Sequence, residues 1–278
     1  MRFFKMHGTG NDFILFDIFR RPELEEKIAE KVVDLCDRHF GIGSDGVLLV
    51  CPSERADFRV VMYNPDGTQG QCGNGLRCFA KFVYENGLTD KTRFAVESLG
   101  GIVQTELTLD GERVVAVEVD MGPPRLSRAE IPMRGPDTPQ VVLEPLRIEG
   151  EEFAITCVSM GNPHCVILTD AVDEVDLERW GPALEHHPSF PERTNVEFVQ
   201  PLSPRELRVR VWERGAGITL ACGTGACASA VAAHLAGETE REVTVHLPGG
   251  TLGVNWAPSG HVFLKGPAEL VFVGEVDI

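Results

Sequence analysis

Two cysteines stand in settings that could make them acid–base groups. Cys72 directly precedes Gly73-Asn74-Gly75, and Cys222 directly precedes Gly223-Thr224-Gly225. Glycines at these positions let the backbone turn tightly and approach a ligand closely. A helix is predicted after each turn: Leu76 to Glu85, stopped by Asn86-Gly87, and the small-residue run Ala226 to Ala236, stopped by Gly237. Each thiol is therefore expected at a helix N-terminus. There the unpaired N–H groups and the helix dipole favour a thiolate and any bound anion. An unperturbed thiol titrates near about 8.5, and this setting is expected to bring it nearer neutrality. A thiolate on one face of a stereocentre and a thiol on the other could remove and return a proton, exchanging roles with reaction direction. The second helix is apolar nearly all round, with His234 the main exception, so it reads as a central buried helix.

The elements that must position these cysteines occur in two copies. Cys72 and Cys222 are 150 positions apart. Gly10-Asn11 answers Gly161-Asn162 at offset 151, and Val61-Met62-Tyr63-Asn64 answers Arg210-Val211-Trp212-Glu213 at offset 149. Three landmarks in the same order indicate an internal duplication. The fold class expected is α/β (α+β), with two similar domains, each presenting one cysteine from a glycine turn that opens a helix. A boundary is placed near residue 120, giving halves 1–120 and 121–267, with the C-terminal strand 268–278 returning to the first half.

Within each half the pattern reads mostly as strands. Val47 to Cys51, Phe58 to Tyr63, Phe153 to Val158, Cys165 to Leu168, Leu207 to Trp212 and Val243 to Leu247 are short apolar or alternating runs bounded by turn residues. Asp110-Gly111 inside Phe94 to Val119 is a hairpin signal. Pro22 to Asp37 has helical spacing through Leu24, Ile28, Val32 and Leu35, and Val172 to His186 looks partly helical. Met121 to about Pro145 is a Pro- and Gly-rich passage without a predicted element. Gly41-Ile42-Gly43-Ser44-Asp45-Gly46 matches G-x-G-x-x-G but leads into a strand, so it is not a dinucleotide fingerprint. Asn11, at the Gly-rich turn after His7, could bind a ligand, although taken alone an asparagine there is better explained as an Asx turn cap.

Composition narrows the function classes. The chain has 278 residues, 43% of them hydrophobic, which is enough for two cores. The formal charge is −16, from 42 acidic and 26 basic residues, which argues against a nucleic-acid phosphate binder. There is no apolar run of the roughly 18 residues that a membrane helix needs, and M-R-F-F-K-M-H-G-T-G has no signal-peptide apolar core. The eight cysteines therefore read as reduced thiols. Neither Cys72/Cys78 nor Cys222/Cys227 has C-x-x-C spacing, so no metal site is expected. Cys36, Cys51, Cys78, Cys157, Cys165 and Cys227 read as small buried hydrophobes.

Taken together, the motifs are similar to those of the diaminopimelate epimerase family along nearly the whole chain. They are H-G-T-G-N-D-F (7–13), D-G-V-L-L-V (45–50), N-P-D-G (64–67) and C-G-N-G-L-R-C (72–78) in the first half. In the second they are G-N-P-H-C-V (161–166), T-N-V-E-F (194–198), E-R-G-A-G (213–217), A-C-G-T-G-A-C-A (221–228), L-P-G-G-T-L (247–252) and G-H-V-F (260–263). The resemblance implies two domains, each a curled mixed sheet around a central helix. It implies a cytoplasmic, usually homodimeric, cofactor-free epimerase of lysine and peptidoglycan-precursor synthesis. By motif, Cys72 and Cys222 correspond to the acid/base thiols, and His164 and Glu213 to the polar groups that tune them. Asn11, Asn64, Asn162 and Asn195 correspond to ligand-binding amides. Glu213 and Arg214 correspond to partners of the non-reacting ammonium and carboxylate. Gly73, Asn74, Gly223 and Thr224 correspond to the turns that hold the reacting carboxylate. Two departures stand out. Asn64 to Cys72 is eight steps where the family usually has nine, and Ile218 replaces the usual Glu of G-A-G-E-T.

A proline racemase-like enzyme would share the duplicated fold and the thiol pair, but it would not need Glu213, Arg214 and four amides to read a second amino-acid head group. A thiol redox or metal-binding protein would show C-x-x-C spacing. A noncatalytic binding module would need no paired thiols.

Overall fold

The computed structural model describes residues 1–136 and 138–278, which form two compact units, Met1–Asp120 with Lys265–Ile278, and Met121–Leu264. In the first unit, Arg2–Gly8 pairs antiparallel with Glu269–Glu275 on one side and with Asn11–Asp17 on the other. Asn11–Asp17 then runs parallel to Val47–Cys51, which pairs antiparallel with Phe58–Tyr63. Phe58–Tyr63 takes the short strand Gln69–Gly70 antiparallel and Arg93–Ser98 parallel, and Arg93–Ser98 pairs antiparallel with Gly101–Asp110.

The second unit repeats this order. Glu151–Ser159 pairs antiparallel with Pro163–Leu168, which runs parallel to Asn195–Ser203. Asn195–Ser203 pairs antiparallel with Glu206–Glu213. Glu206–Glu213 takes the short strand Gly217–Thr219 antiparallel and Glu242–Leu247 parallel, and Glu242–Leu247 pairs antiparallel with Gly250–Trp256. Six pairings in the same order and sense make the two units copies of one topology.

Each mixed sheet packs against one helix. Gly73–Glu85 lies against strands of the first unit, and eleven of its thirteen residues are buried. Two of the eleven are cations. Arg77 donates from Nε to Pro267 O at 3.1 Å and from Nη2 to Thr9 Oγ1 at 3.2 Å, and Lys81 donates to Val114 O at 2.7 Å. Gly223–Leu235 is built from Ala, Gly, Cys, Ser and Val on nearly every face, and ten of its thirteen residues are buried. Small side chains let the surrounding strands close on this helix, and Val209, Val211, Val245, Leu252 and Val254 complete its core.

Two expectations need correction. Pro22 to Asp37 is not one helix. It is a 3₁₀ turn, Pro22–Leu24, followed by two short helices, Glu25–Ala29 and Val32–Cys36. The break falls where Lys31 N–H bonds Ile28 C=O at 2.9 Å, three residues back, just before Val32-Val33. A β-branched pair is poor at extending a helix, although Ile28, Val32 and Leu35 do face the core as their spacing implies. The passage from Met121 to Pro145 also contains a strand, Val141–Ile148, paired antiparallel with Glu151–Ser159. Pro145 sits in it opposite Ala154. A strand tolerates proline where the missing N–H would not face its neighbour.

The turn after Glu206–Glu213 is held from the helix Leu177–Glu185. Glu185, 2% exposed, accepts from Trp212 Nε1 at 2.7 Å and from Gly215 N–H at 3.1 Å. Gly181 makes the approach possible, since a Cβ there would lie 2.4 Å from Trp212 Cδ2. Helix propensity alone would favour Gly181→Ala by about 1 kcal/mol, but overpacking of this kind costs roughly 1–3 kcal/mol. Denaturant unfolding of Gly181→Ala is expected to show a net loss of stability. A gain would mean that the helix shifts freely away from Trp212.

Candidate functional site

Cys72 is the N-cap of its helix in extended conformation, with φ −152° and ψ 127°, and Cys222 caps the other helix with φ −116° and ψ 116°. In each case the cysteine carbonyl accepts the first helical hydrogen bond, from Leu76 N–H at 3.0 Å and Ala226 N–H at 2.9 Å. The glycines that follow belong to the first helical turn and keep negative φ. The reason for glycine here is therefore room, not a left-handed turn. Left-handed glycines occur instead before the paired asparagines, at Gly10 (φ 87°) and Gly161 (φ 94°).

In the first unit, Cys72 Sγ donates to Asn11 Oδ1 at 3.3 Å, and Asn74 Nδ2 donates to the same oxygen at 3.2 Å. Asn11 Nδ2 donates to Asp45 Oδ2 at 2.7 Å. Arg38 Nη2 bridges Asp45 Oδ1 and Asp12 Oδ1 at 2.7 Å each, and Lys5 pairs with Asp12. Asn11 thus does not act as an isolated turn cap. Its amide is oriented by Asp45 so that its oxygen faces the thiol. Asn64 stays in its turn, where its Nδ2 donates to Thr68 Oγ1 at 3.0 Å. Its side chain packs on Gly70, where a Cβ would come within 2.8 Å of Oδ1.

The second unit gathers more of the expected residues. Cys222 Sγ accepts from Gly225 N–H at 3.3 Å and lies 3.4 Å from Thr224 Oγ1. Asn162 Nδ2 donates to Thr224 Oγ1 at 3.3 Å, and Asn162 Oδ1 lies 3.1 Å from His164 Nε2. Glu213 Oε1 accepts from Thr219 Oγ1 at 2.6 Å. Asn195, 3% exposed, donates to Pro163 O at 2.8 Å and accepts from the Arg214 backbone N–H at 2.9 Å, which ties two neighbouring turns together. The Arg214 guanidinium donates from Nη1 to Glu192 O at 3.0 Å.

The charge state of Cys222 differs from expectation. Burial pushes its thiol well above the ordinary range, and the carboxylates of Glu213 and Glu197 push it further. The contacts with Thr224 and Gly225 oppose this but are weaker. Burial also raises the Glu213 carboxyl, while its contacts with Thr219 and the Cys222 thiol lower it. Cys222 is therefore a thiol beside an acceptor carboxyl, not a resting thiolate. Cys51 and Cys78 are pushed up to about 12 by burial, as suits thiols that only pack.

Two residues of the cluster, Asp45 and Glu197, were not singled out from sequence. Glu197 had a legible signal, a carboxylate within Asn195 to Val199, where every residue is buried. Asp45 had none, because it reads as an ordinary turn aspartate before Gly46. Among the described residues no group of three His, Cys, Asp or Glu is placed to hold a metal ion, and no helix is long and apolar enough to cross a membrane.

Comparisons with known proteins agree with this architecture. The family model for diaminopimelate epimerase matches residues 3–127 and 156–271. The chain is similar to the diaminopimelate epimerase of Pelotomaculum thermopropionicum, with 52% identity over 99% of this chain and 98% of that one. It is equally similar to the enzyme of the same name from Moorella thermoacetica, with 52% identity over 99% of both chains. Among solved structures, a hydroxyproline epimerase from Agrobacterium vitis shares the fold, with a TM-score of 0.71 at 14% identity over 99% of this chain and 90% of that one.

Replacing Glu213 by Gln removes one of the two carboxylates that disfavour the Cys222 thiolate. Ultraviolet thiolate titration, with Cys222→Ala as the reference, is expected to show Cys222 ionising at lower pH in Glu213→Gln than in the wild type. An unchanged titration would assign the whole effect to burial.

Proposed function

This chain belongs to the diaminopimelate epimerase family, and on that footing we propose that it interconverts LL- and meso-2,6-diaminopimelate by two-base proton transfer without a cofactor. The reaction is a step of lysine and peptidoglycan-precursor synthesis. The observation that carries the mechanism is a cysteine at the N-cap of the central helix in each of two topologically equivalent units. Inversion of a stereocentre needs one group to take the α-proton and another to supply one from the opposite face. Two thiols, one per unit, suit that symmetry.

In one direction Cys72 removes the α-proton as thiolate and Cys222 delivers its own as thiol, which leaves the two protonation states exchanged. The C–H electron pair spreads onto the α-carboxylate as the bond breaks. Gly73-Asn74 and Gly223-Thr224 each open a helix, and N–H groups at a helix start are donors of the kind that stabilise such growing charge. In the opposite direction Cys222 must first lose its proton, and Glu213 is the acceptor at hand. A neutral Glu213 also removes one negative charge beside the new thiolate. His164 tunes the same region. Asn11, Asn64, Asn74, Asn162 and Asn195 read the amino-acid head groups or hold the segments that do. Arg214 takes the distal carboxylate, for which its planar guanidinium offers two parallel hydrogen bonds, with Glu213 toward the distal ammonium. The enzyme acts in the cytoplasm as a homodimer.

Cys72→Ala and Cys222→Ala are each expected to abolish epimerisation while thermal unfolding stays close to wild type. Deuterium wash-in from D₂O is expected with LL-diaminopimelate and not with proline. Near-full turnover in either variant would reject the two-thiol scheme, and wash-in with proline alone would point to a proline racemase-like enzyme.

A further inference from the structure

Glu197 sits in the middle of a strand whose neighbours Val196, Phe198 and Val199 fill the core, and its side chain is 0% exposed. A buried carboxylate is costly unless it is paired. Its partner is His164, also 0% exposed, with Nδ1 2.7 Å from Glu197 Oε1. An ionised carboxylate only accepts hydrogen bonds, so Nδ1 carries a proton. The other ring nitrogen, Nε2, lies 3.1 Å from Asn162 Oδ1, an amide oxygen that only accepts, so Nε2 donates to it and the ring carries a proton on each nitrogen. Asn162 reaches Thr224 Oγ1 at 3.3 Å, and Thr224 Oγ1 lies 3.4 Å from Cys222 Sγ. An unbroken chain of polar contacts therefore runs from the Glu197 carboxylate to the thiol.

Two further features show that this carboxylate is accommodated deliberately. Gly225 leaves space for it, because a Cβ there would fall 2.8 Å from Glu197 Oε1 and 3.3 Å from Cys222 Sγ. Glu197 Oε2 is buried without a hydrogen-bond partner. An apolar residue would fill the same volume without that desolvation cost.

We propose that Glu197 is a positioning residue for the epimerisation: it holds the His164 ring in one orientation with Nδ1 protonated, and through Asn162 and Thr224 it sets the placement of the Cys222 thiol. The proposal rests on the function given above. Glu197 does not touch the reacting carbon, so its removal costs less than removal of a group that transfers the proton, for which general acid–base catalysis supplies roughly 10²–10⁴-fold.

The test has two parts. In ¹⁵N-histidine NMR of the wild-type protein, with His164→Asn for assignment, His164 Nδ1 is expected to be protonated. An unprotonated Nδ1 overturns the proposal whether or not any variant folds. In Glu197→Gln, which keeps the shape and removes the charge, kcat is expected to fall about ten- to a hundredfold. KM should stay within about threefold and the His164 nitrogen shifts should change. Glu197→Asp should retain more kcat than Glu197→Gln. Wild-type kcat in Glu197→Gln contradicts the proposal. So does a loss of kcat that tracks a loss of thermal stability while the His164 signals stay as in the wild type. Absence of deuterium wash-in by the wild-type enzyme is a separate failure, which removes the proposed function and this inference together.

Discussion

Both candidate thiols depend on one steric condition, a buried helix start that its neighbours approach more closely than a side chain would allow. An extended cysteine must leave the sheet and begin a helix, and polar side chains must reach its sulfur within the first turn. At Cys222 this works because Gly225 has no side chain. Its N–H reaches Sγ at 3.3 Å, and Glu197 occupies the space a methyl group would take. At Cys72 the close approach is to Arg2–Gly8, where a Cβ on Gly8 would lie 3.1 Å from Asn74 O and 3.0 Å from Arg77 Nη2. The small residues follow from these contacts, and the surrounding strands from the need to bury a helix on nearly every side.

The same burial decides the electrostatics at Cys222. A helix N-terminus stabilises a nearby negative charge by about 0.3–1 kcal/mol when exposed and up to about 2 kcal/mol in favourable partly buried sites. Full burial opposes ionisation more strongly than that. At Cys222 two carboxylates add to burial, while Thr224 and Gly225 only partly offset it. The helix terminus therefore acts less as a means of ionising Cys222 than as a frame of N–H donors. A thiol held protonated beside Glu213 is suited to donate, and once its proton is given up it can serve as the base.

Much of this was legible in the residues. Val47–Cys51 and Phe58–Tyr63 occupy the spans their apolar runs mark out, and both central helices end at the Asn86-Gly87 and Gly237 signals. The duplication was visible in three landmarks and reappears as the same pairing order in both units. The strand Val141–Ile148 was hidden because Pro145 masks a run whose pairing comes only from its neighbour Glu151–Ser159. The broken helix after Pro22 was hidden because apolar spacing records which side faces the core, not whether the backbone is continuous. At the site, residue type located the thiols and the amides. The charge state of Cys222 depends on the carboxylates that converge on its buried sulfur, and one of them, Glu197, comes from a strand distant in sequence.

The central claim is that the hydrogen leaving the substrate and the hydrogen entering the product travel on different sulfur atoms. The most direct measurement is the isotopic content of the first product formed from pure LL-diaminopimelate in D₂O, by mass spectrometry at low conversion. Two separate groups predict that essentially every product molecule carries deuterium at the inverted centre while unreacted substrate still carries protium. Product that retains the substrate's own hydrogen would mean that a single group carries it from one face to the other, and the two-thiol account would be wrong.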